Sequence, residues 1–105
     1  MTTDMATLSI KEDQLKLKRI SRLMKTIGHP SRLLIVELLL EKGQLPVRDI
    51  SEAIDISQSN TSQHLKALED IEVLYSEREG TSVYYGILNQ GVAKLLQCVH
   101  DCTTC

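Results

Sequence analysis

The chain has 105 residues, room for one domain with a single modest core. With no Phe, no Trp and three Tyr, that core must be built from Leu and Ile, and a small chain with Leu-rich ends often completes its burial by dimerising. A formal net charge of −2 excludes a protein that coats nucleic acid indiscriminately, though not one whose charge is segregated.

Charge is indeed segregated. Lys11, Lys16, Lys18, Arg19, Arg22 and Lys25 face only Glu12 and Asp13, while the stretch from Glu69 to Glu79 is mainly acidic. Residues 1–10 read as a flexible N-terminal arm. From Lys11 to Ile27, the residues Leu15, Leu17, Ile20, Leu23, Met24 and Ile27 form a helical stripe. Gly28 and His29-Pro30 stop that helix and start a second, with Pro30 suited to its first turn. Leu33 to Leu40 (LLIVELLL) is almost continuously apolar, which predicts a helix buried on most sides. Glu41-Lys42-Gly43 closes it.

A third helix ends over Ser51 to Ile56, and Ser57 is a good N-cap for a fourth. In that fourth helix Thr61, Leu65, Leu68 and Ile71 recur at helical spacing and are expected to face a core. Gln58, Ser59, Ser62, Gln63 and Lys66 share the opposite face. The first acidic residue after Ser57 is Glu69, two turns beyond the start of that face. Two turns of short hydrogen-bonding side chains without a carboxylate suit a helix that lies against base edges and phosphates. An ordinary solvated helix would mix Glu and Lys freely.

After Leu74 the period changes to two. Tyr75 and Glu77, then Val83, Tyr85 and Ile87, alternate with Ser76, Arg78, Ser82 and Tyr84 around Glu79-Gly80, which predicts a two-stranded hairpin. Helical spacing resumes from Asn89 with Val92, Leu95, Leu96 and Val99. The predicted fold is therefore mainly α with a small β-hairpin, in the order α-α-α-α-β-β-α. A helix-turn-helix followed directly by a hairpin wing is the winged-helix DNA-binding plan. Residues 11–99 form this domain, and residues 100–105 form a cysteine-containing tail.

The N-terminus has no basic region followed by an apolar one, and no run reaches the ~18–20 apolar residues of a membrane span. The expected compartment is the cytoplasm, where Cys98, Cys102 and Cys105 would be reduced thiols. Nothing in the sequence resembles a nucleophile–base pair, a phosphate-cradling glycine loop or a paired-carboxylate site, so no enzyme is expected.

The segments HPSRLLIVELL (His29 to Leu39), ISQSNTSQHLKAL (Ile56 to Leu68) and REGTSVYYGI (Arg78 to Ile87), in this order and spacing, resemble the ArsR/SmtB family of bacterial metal-responsive repressors. The resemblance covers residues 15–100. It implies a homodimer joined through its first and last helices, a palindromic double-stranded DNA operator, and an inducer that lowers operator affinity. It makes Gln58, Ser59, Ser62 and Gln63 the base- or phosphate-contacting residues; Lys66, on the same face by helical spacing, is expected to contact a phosphate. His64, a third of a turn off that face, is expected to pack or to lie near a phosphate. Arg78 would carry the wing's phosphate contact, or else pair with a neighbouring Glu; the residue after Gly80 is Thr81, where many members have a second Arg.

The cysteine motif common in the family's arsenic and cadmium sensors is missing, since Leu33–Leu40 and Val47–Ile56 contain no Cys. Glu37 stands roughly where some persulfide sensors carry the first cysteine of their pair. The ligands found early in the last helix of zinc sensors are replaced near Asn89 and Gly91. The tail CVHDCTTC is left as the sensor, through Cys98, Cys102 and Cys105. On a regular helix these thiols share one stripe, but Cys98 and Cys105 are separated by about 10.5 Å of rise, too far for one ion bound at ~2.3 Å. A three-thiol site requires unwinding after Cys102 or thiols from both subunits. Three soft ligands favour As(III), Cd(II) or Zn(II) as inducer. The alternatives are a redox- or persulfide-sensing repressor using the same thiols, and a winged-helix interaction module whose thiols are idle.

Overall fold

Capping residues set most of the boundaries. A computed structural model describes the backbone of residues 2–103 and the side chains of residues 12–103. The elements are α1 (Thr2–Ile27), α2 (Pro30–Lys42), β1 (Leu45–Pro46), α3 (Val47–Ile54), α4 (Gln58–Asp70), β2 (Leu74–Glu79), β3 (Ser82–Ile87) and α5 (Gln90–Thr103). Pro30 opens α2 as predicted, and His29 caps it, its Nδ1 accepting the Ser31 N–H at 3.2 Å. Gly43, at φ +80°, donates its N–H to the Leu39 carbonyl and ends the helix. Asp55 takes the left-handed conformation that closes α3. Ser57 Oγ then accepts the Asn60 N–H at 3.0 Å, the N-cap its side chain predicted.

The core is aliphatic. Thr61, Leu65 and Leu68 of α4 are fully buried, and Ile71 packs against the core's edge. They meet Ile35, Val36 and Leu39 of α2, Ile50 of α3, and Val73, Leu74, Tyr85 and Val92. The one buried hydroxyl on α4's inner face, Thr61 Oγ1, donates to the Ser57 carbonyl at 2.8 Å, so no polar group is stranded there.

Several expectations are corrected. The first helix begins at Thr2, so the segment expected to be an arm is helical backbone. A short strand, β1, was not anticipated. It pairs antiparallel with β3 (Leu45 with Tyr85, Pro46 with Tyr84), giving a three-stranded sheet in the order β1-β3-β2. Two residues ending in proline carry no alternating pattern that could reveal a strand. The hairpin turn is Gly80-Thr81, one residue later than expected, because Glu79 pairs with Ser82 and Gly80 takes a positive φ. The apolar run of α2 is buried on one side only: Leu34 and Leu40 stay exposed. The last helix continues unbroken to Thr103, so residues 100–103 are helical and not a separate tail; Cys105 lies outside the described residues.

Both chain ends leave apolar surface uncovered. On α1, Leu15, Leu17, Ile20 and Met24 are exposed, Leu17 by 61%. Leu95 and Val99 do the same on α5. The stripes fall at the predicted positions, yet the protomer buries only Ile27 of the α1 stripe and Val92 of the α5 stripe, with Leu23 and Leu96 covered in part.

Because Leu65 is completely buried, Leu65→Ala should cost about 2–5 kcal/mol in urea unfolding, whereas Ser57→Ala should cost only about 0.5–2 kcal/mol through loss of the cap.

Candidate nucleic-acid interface

Residues Asp55 to Ser57 turn the chain between α3 and α4, and the packing of Thr61, Leu65 and Leu68 fixes α4 about its own axis. That setting leaves Gln58, Ser59, Ser62, Gln63 and Lys66 exposed together, the group the sequence selects. No acidic residue occupies the first turn of α4. Glu69, the first carboxylate along the helix, accepts the hydroxyl of Ser76 at 2.6 Å and so ties the end of α4 to the base of the hairpin. Along α4 itself, this face of amide, hydroxyl and ammonium donors therefore carries no carboxylate before Glu69.

Beneath this face lies a cluster that sequence spacing does not reveal. Arg32 Nε donates to His64 Nδ1 at 3.0 Å, and Arg32 Nη1 donates to the Thr26 carbonyl at 3.3 Å. The His29 ring lies 4.7 Å from the His64 ring, tilted by 47°. The end of α1, the start of α2 and the middle of α4 are thus joined through one guanidinium. His64 is a packing residue, as its off-face position suggested. Its pKa is held below the ordinary histidine value, first by burial and then by His29 and Arg32. Arg32 is 32 positions from His64 in the chain, and no short motif could have announced their pairing.

The hairpin projects beside α4. Arg78 is exposed near its tip, opposite Val83, and among the described residues no carboxylate pairs with it. The expected alternative, a bond to a neighbouring Glu, is not formed. Glu77 instead accepts from Gln44 Nε2 at 2.8 Å. At the hairpin's base the Tyr75 ring covers Gly86: a Cβ there would fall 2.5 Å from Tyr75 Cζ, so any larger residue would have to push that ring aside.

The thiols are on a different part of the molecule. Cys98 and Cys102 are free and exposed, one turn apart on α5. Among the described residues no three His, Cys, Asp or Glu side chains converge on a metal position.

A helix-turn-helix with an adjoining β-hairpin wing defines the winged-helix class of transcriptional regulators. Residues 29–76 match the model of the bacterial regulatory proteins of the arsR family. The chain is 37% identical to the transcriptional repressor PagR of Bacillus anthracis, over 82% of this chain and 89% of that protein. It is 36% identical to the cadmium resistance transcriptional regulatory protein CadC of Listeria innocua, over 74% of this chain but only 66% of CadC's length. The homodimeric winged helix-turn-helix DNA-binding domain of a possible ArsR-family regulator from Mycobacterium bovis superposes with a TM-score of 0.78 at 30% identity, covering 87% of this chain and 83% of that one. The chain belongs to the ArsR family, as a transcriptional regulator. No helix among the described residues is long and apolar enough to cross a membrane.

Protonating Nδ1 of His64 would end its bond from Arg32 and set two cations side by side. With its folded pKa depressed below an unfolded value of about 6.5, the stabilisation is present above that pH and lost as pH falls, because the unfolded state then binds more protons. Thermal midpoints should therefore fall between pH 7 and pH 5. His64→Gln should show a shallower fall over that interval, and equal slopes for both proteins would contradict the assignment.

Proposed function

We propose that the protein is a homodimeric repressor whose two α4 helices enter successive major grooves of a palindromic operator. The observation that carries this reading is the exposed, carboxylate-free face of α4, set opposite a fully buried one. Gln58, Ser59, Ser62 and Gln63 meet base edges or phosphates, while Lys66 and Arg78 contact the phosphate backbone. The dimer forms through α1 and α5, whose uncovered leucines, Ile20, Met24 and Val99 supply the apolar surface. The homodimer of the M. bovis relative supports this assembly.

The inducer acts at the cysteines of α5. Cys98 and Cys102 are both exposed and one turn apart, a separation of about 5–6 Å between Cβ atoms on a helix. Two thiols so placed can each lose a proton to solvent and bind one soft ion such as As(III), Cd(II) or Zn(II) without unwinding the helix. A disulfide needs Cβ atoms about 3.5–4.5 Å apart, which this helix does not offer. Geometry therefore favours metal or metalloid over oxidation for this pair; Cys105, outside the described residues, would join as a third thiol only if the helix unwound after Cys102 or if thiols came from both subunits. CadC, a regulator of cadmium resistance by name, supports a soft-metal inducer. Because α5 also carries Leu95 and Val99, an ion there acts on the dimer interface and through it on the spacing of the α4 helices. Couplings of this kind are typically about 1–3 kcal/mol.

One titration tests both halves: anisotropy on a duplex selected from a randomised pool by the wild-type protein, with each ion added in turn. Gln63→Ala should weaken binding more than about tenfold, as loss of a bidentate base contact would. The triple variant Cys98→Ser, Cys102→Ser, Cys105→Ser should bind like the parent and fail to release on adding As(III) or Cd(II). Parent-like binding by Gln63→Ala would refute the helix orientation, and ion-driven release of the triple variant would place the sensor elsewhere.

A further inference from the structure

We propose that the cleft between α3, α4 and β3 seats a phosphate of the DNA backbone and that Arg48 is the side chain that holds it. The inference rests on α4 reading DNA, and it assigns the contact that fixes α4's depth and register. The cleft has a volume of about 510 Å³. Gln58 and Ser62, both on the exposed face of α4, form one wall; Thr81 and Tyr84 of the hairpin form the other; Arg48 and Asp49 lie at the start of α3.

The placement follows from dimensions. A helix with its side chains is about 10–12 Å across and fills a major groove about 12 Å wide. The sugar-phosphate strands bounding the groove must then lie against whatever flanks the helix. Here one flank of α4 is this cleft, open to solvent along the same side as Gln58 and Ser62. Its chemistry fits a phosphodiester: a guanidinium with a fork of N–H donors, and hydroxyls from Ser62, Thr81 and Tyr84. Arg48 is the one basic side chain lining the cleft. It is exposed, and among the described residues no carboxylate pairs with it. Asp49 is the one opposing charge, and it limits how tightly an anion is held.

The test is the salt dependence of binding by the full-length protein, measured by anisotropy on the selected duplex and on an unrelated duplex of equal length. Arg48→Ala should weaken both complexes on the order of tenfold. It should also reduce the slope of log K against log salt by about two per dimer, at about 0.9 per phosphate and one phosphate per protomer. Arg48→Lys should keep the parent's slope, and Asp49→Asn should tighten both complexes. Circular dichroism of Arg48→Ala should match the parent, since the side chain is exposed. A parent-like slope in Arg48→Ala, while Gln63→Ala still loses the selected duplex, overturns the phosphate seat alone. A loss confined to the selected duplex at constant slope makes Arg48 a base reader and equally overturns it. A wild-type protein that binds neither duplex overturns both this inference and the DNA-binding reading beneath it.

Discussion

The rotational setting of α4 is the constraint on which the other features depend. Each residue turns a helix by about 100°, so a slip of a single position would carry Gln63 off the exposed face and bring Leu65 or Thr61 toward water. Complete burial of Thr61, Leu65 and Leu68 makes that slip costly. The same burial would leave the Thr61 hydroxyl stranded, but it donates to Ser57, whose own Oγ caps the helix. The exposed face of α4 is therefore a by-product of core packing, and its side chains need contribute nothing to stability.

Around that helix, polar ties fix the neighbours. Arg32 joins the α1 terminus to α4 through His64, Glu69 reaches the base of the hairpin through Ser76, and Gln44 holds Glu77 on the hairpin's flank. These last two contacts orient the carboxylates of Glu69 and Glu77 without removing their charge. The histidine cluster differs in kind. It couples three elements through a bond that exists only while His64 Nδ1 is unprotonated, so acid loosens the junction of α1, α2 and α4.

The sequence carried the helices, their caps and the exposed face of α4 because each leaves a local signature. Ser57, Pro30 and Gly43 act on their immediate neighbours, and the 3.6-residue period of Thr61, Leu65 and Leu68 is complete within the segment. What stayed hidden was non-local or too short. β1 spans two residues and exists only because β3 offers an edge. The Arg32–His64 bond joins distant positions. Leu34 and Leu40 looked like core because an apolar run says nothing about which partners a single protomer has. Arg48 escaped for a similar reason: in the sequence it is one basic residue beside an acidic one, and only the approach of the hairpin to α4 turns its surroundings into a cleft.

In the proposed function DNA meets the face of α4 and its flanks, while α1 and α5 serve assembly and sensing. Amide-shift mapping of the 15N-labelled protein titrated with the selected duplex tests this most directly. The account predicts the largest perturbations at Gln58 to Lys66, with a second set at Arg48 and at the hairpin tip from Arg78 to Thr81, and little change across residues 12–24 of α1. Perturbations centred on α1 or α5, with residues 58–66 undisturbed, would contradict it.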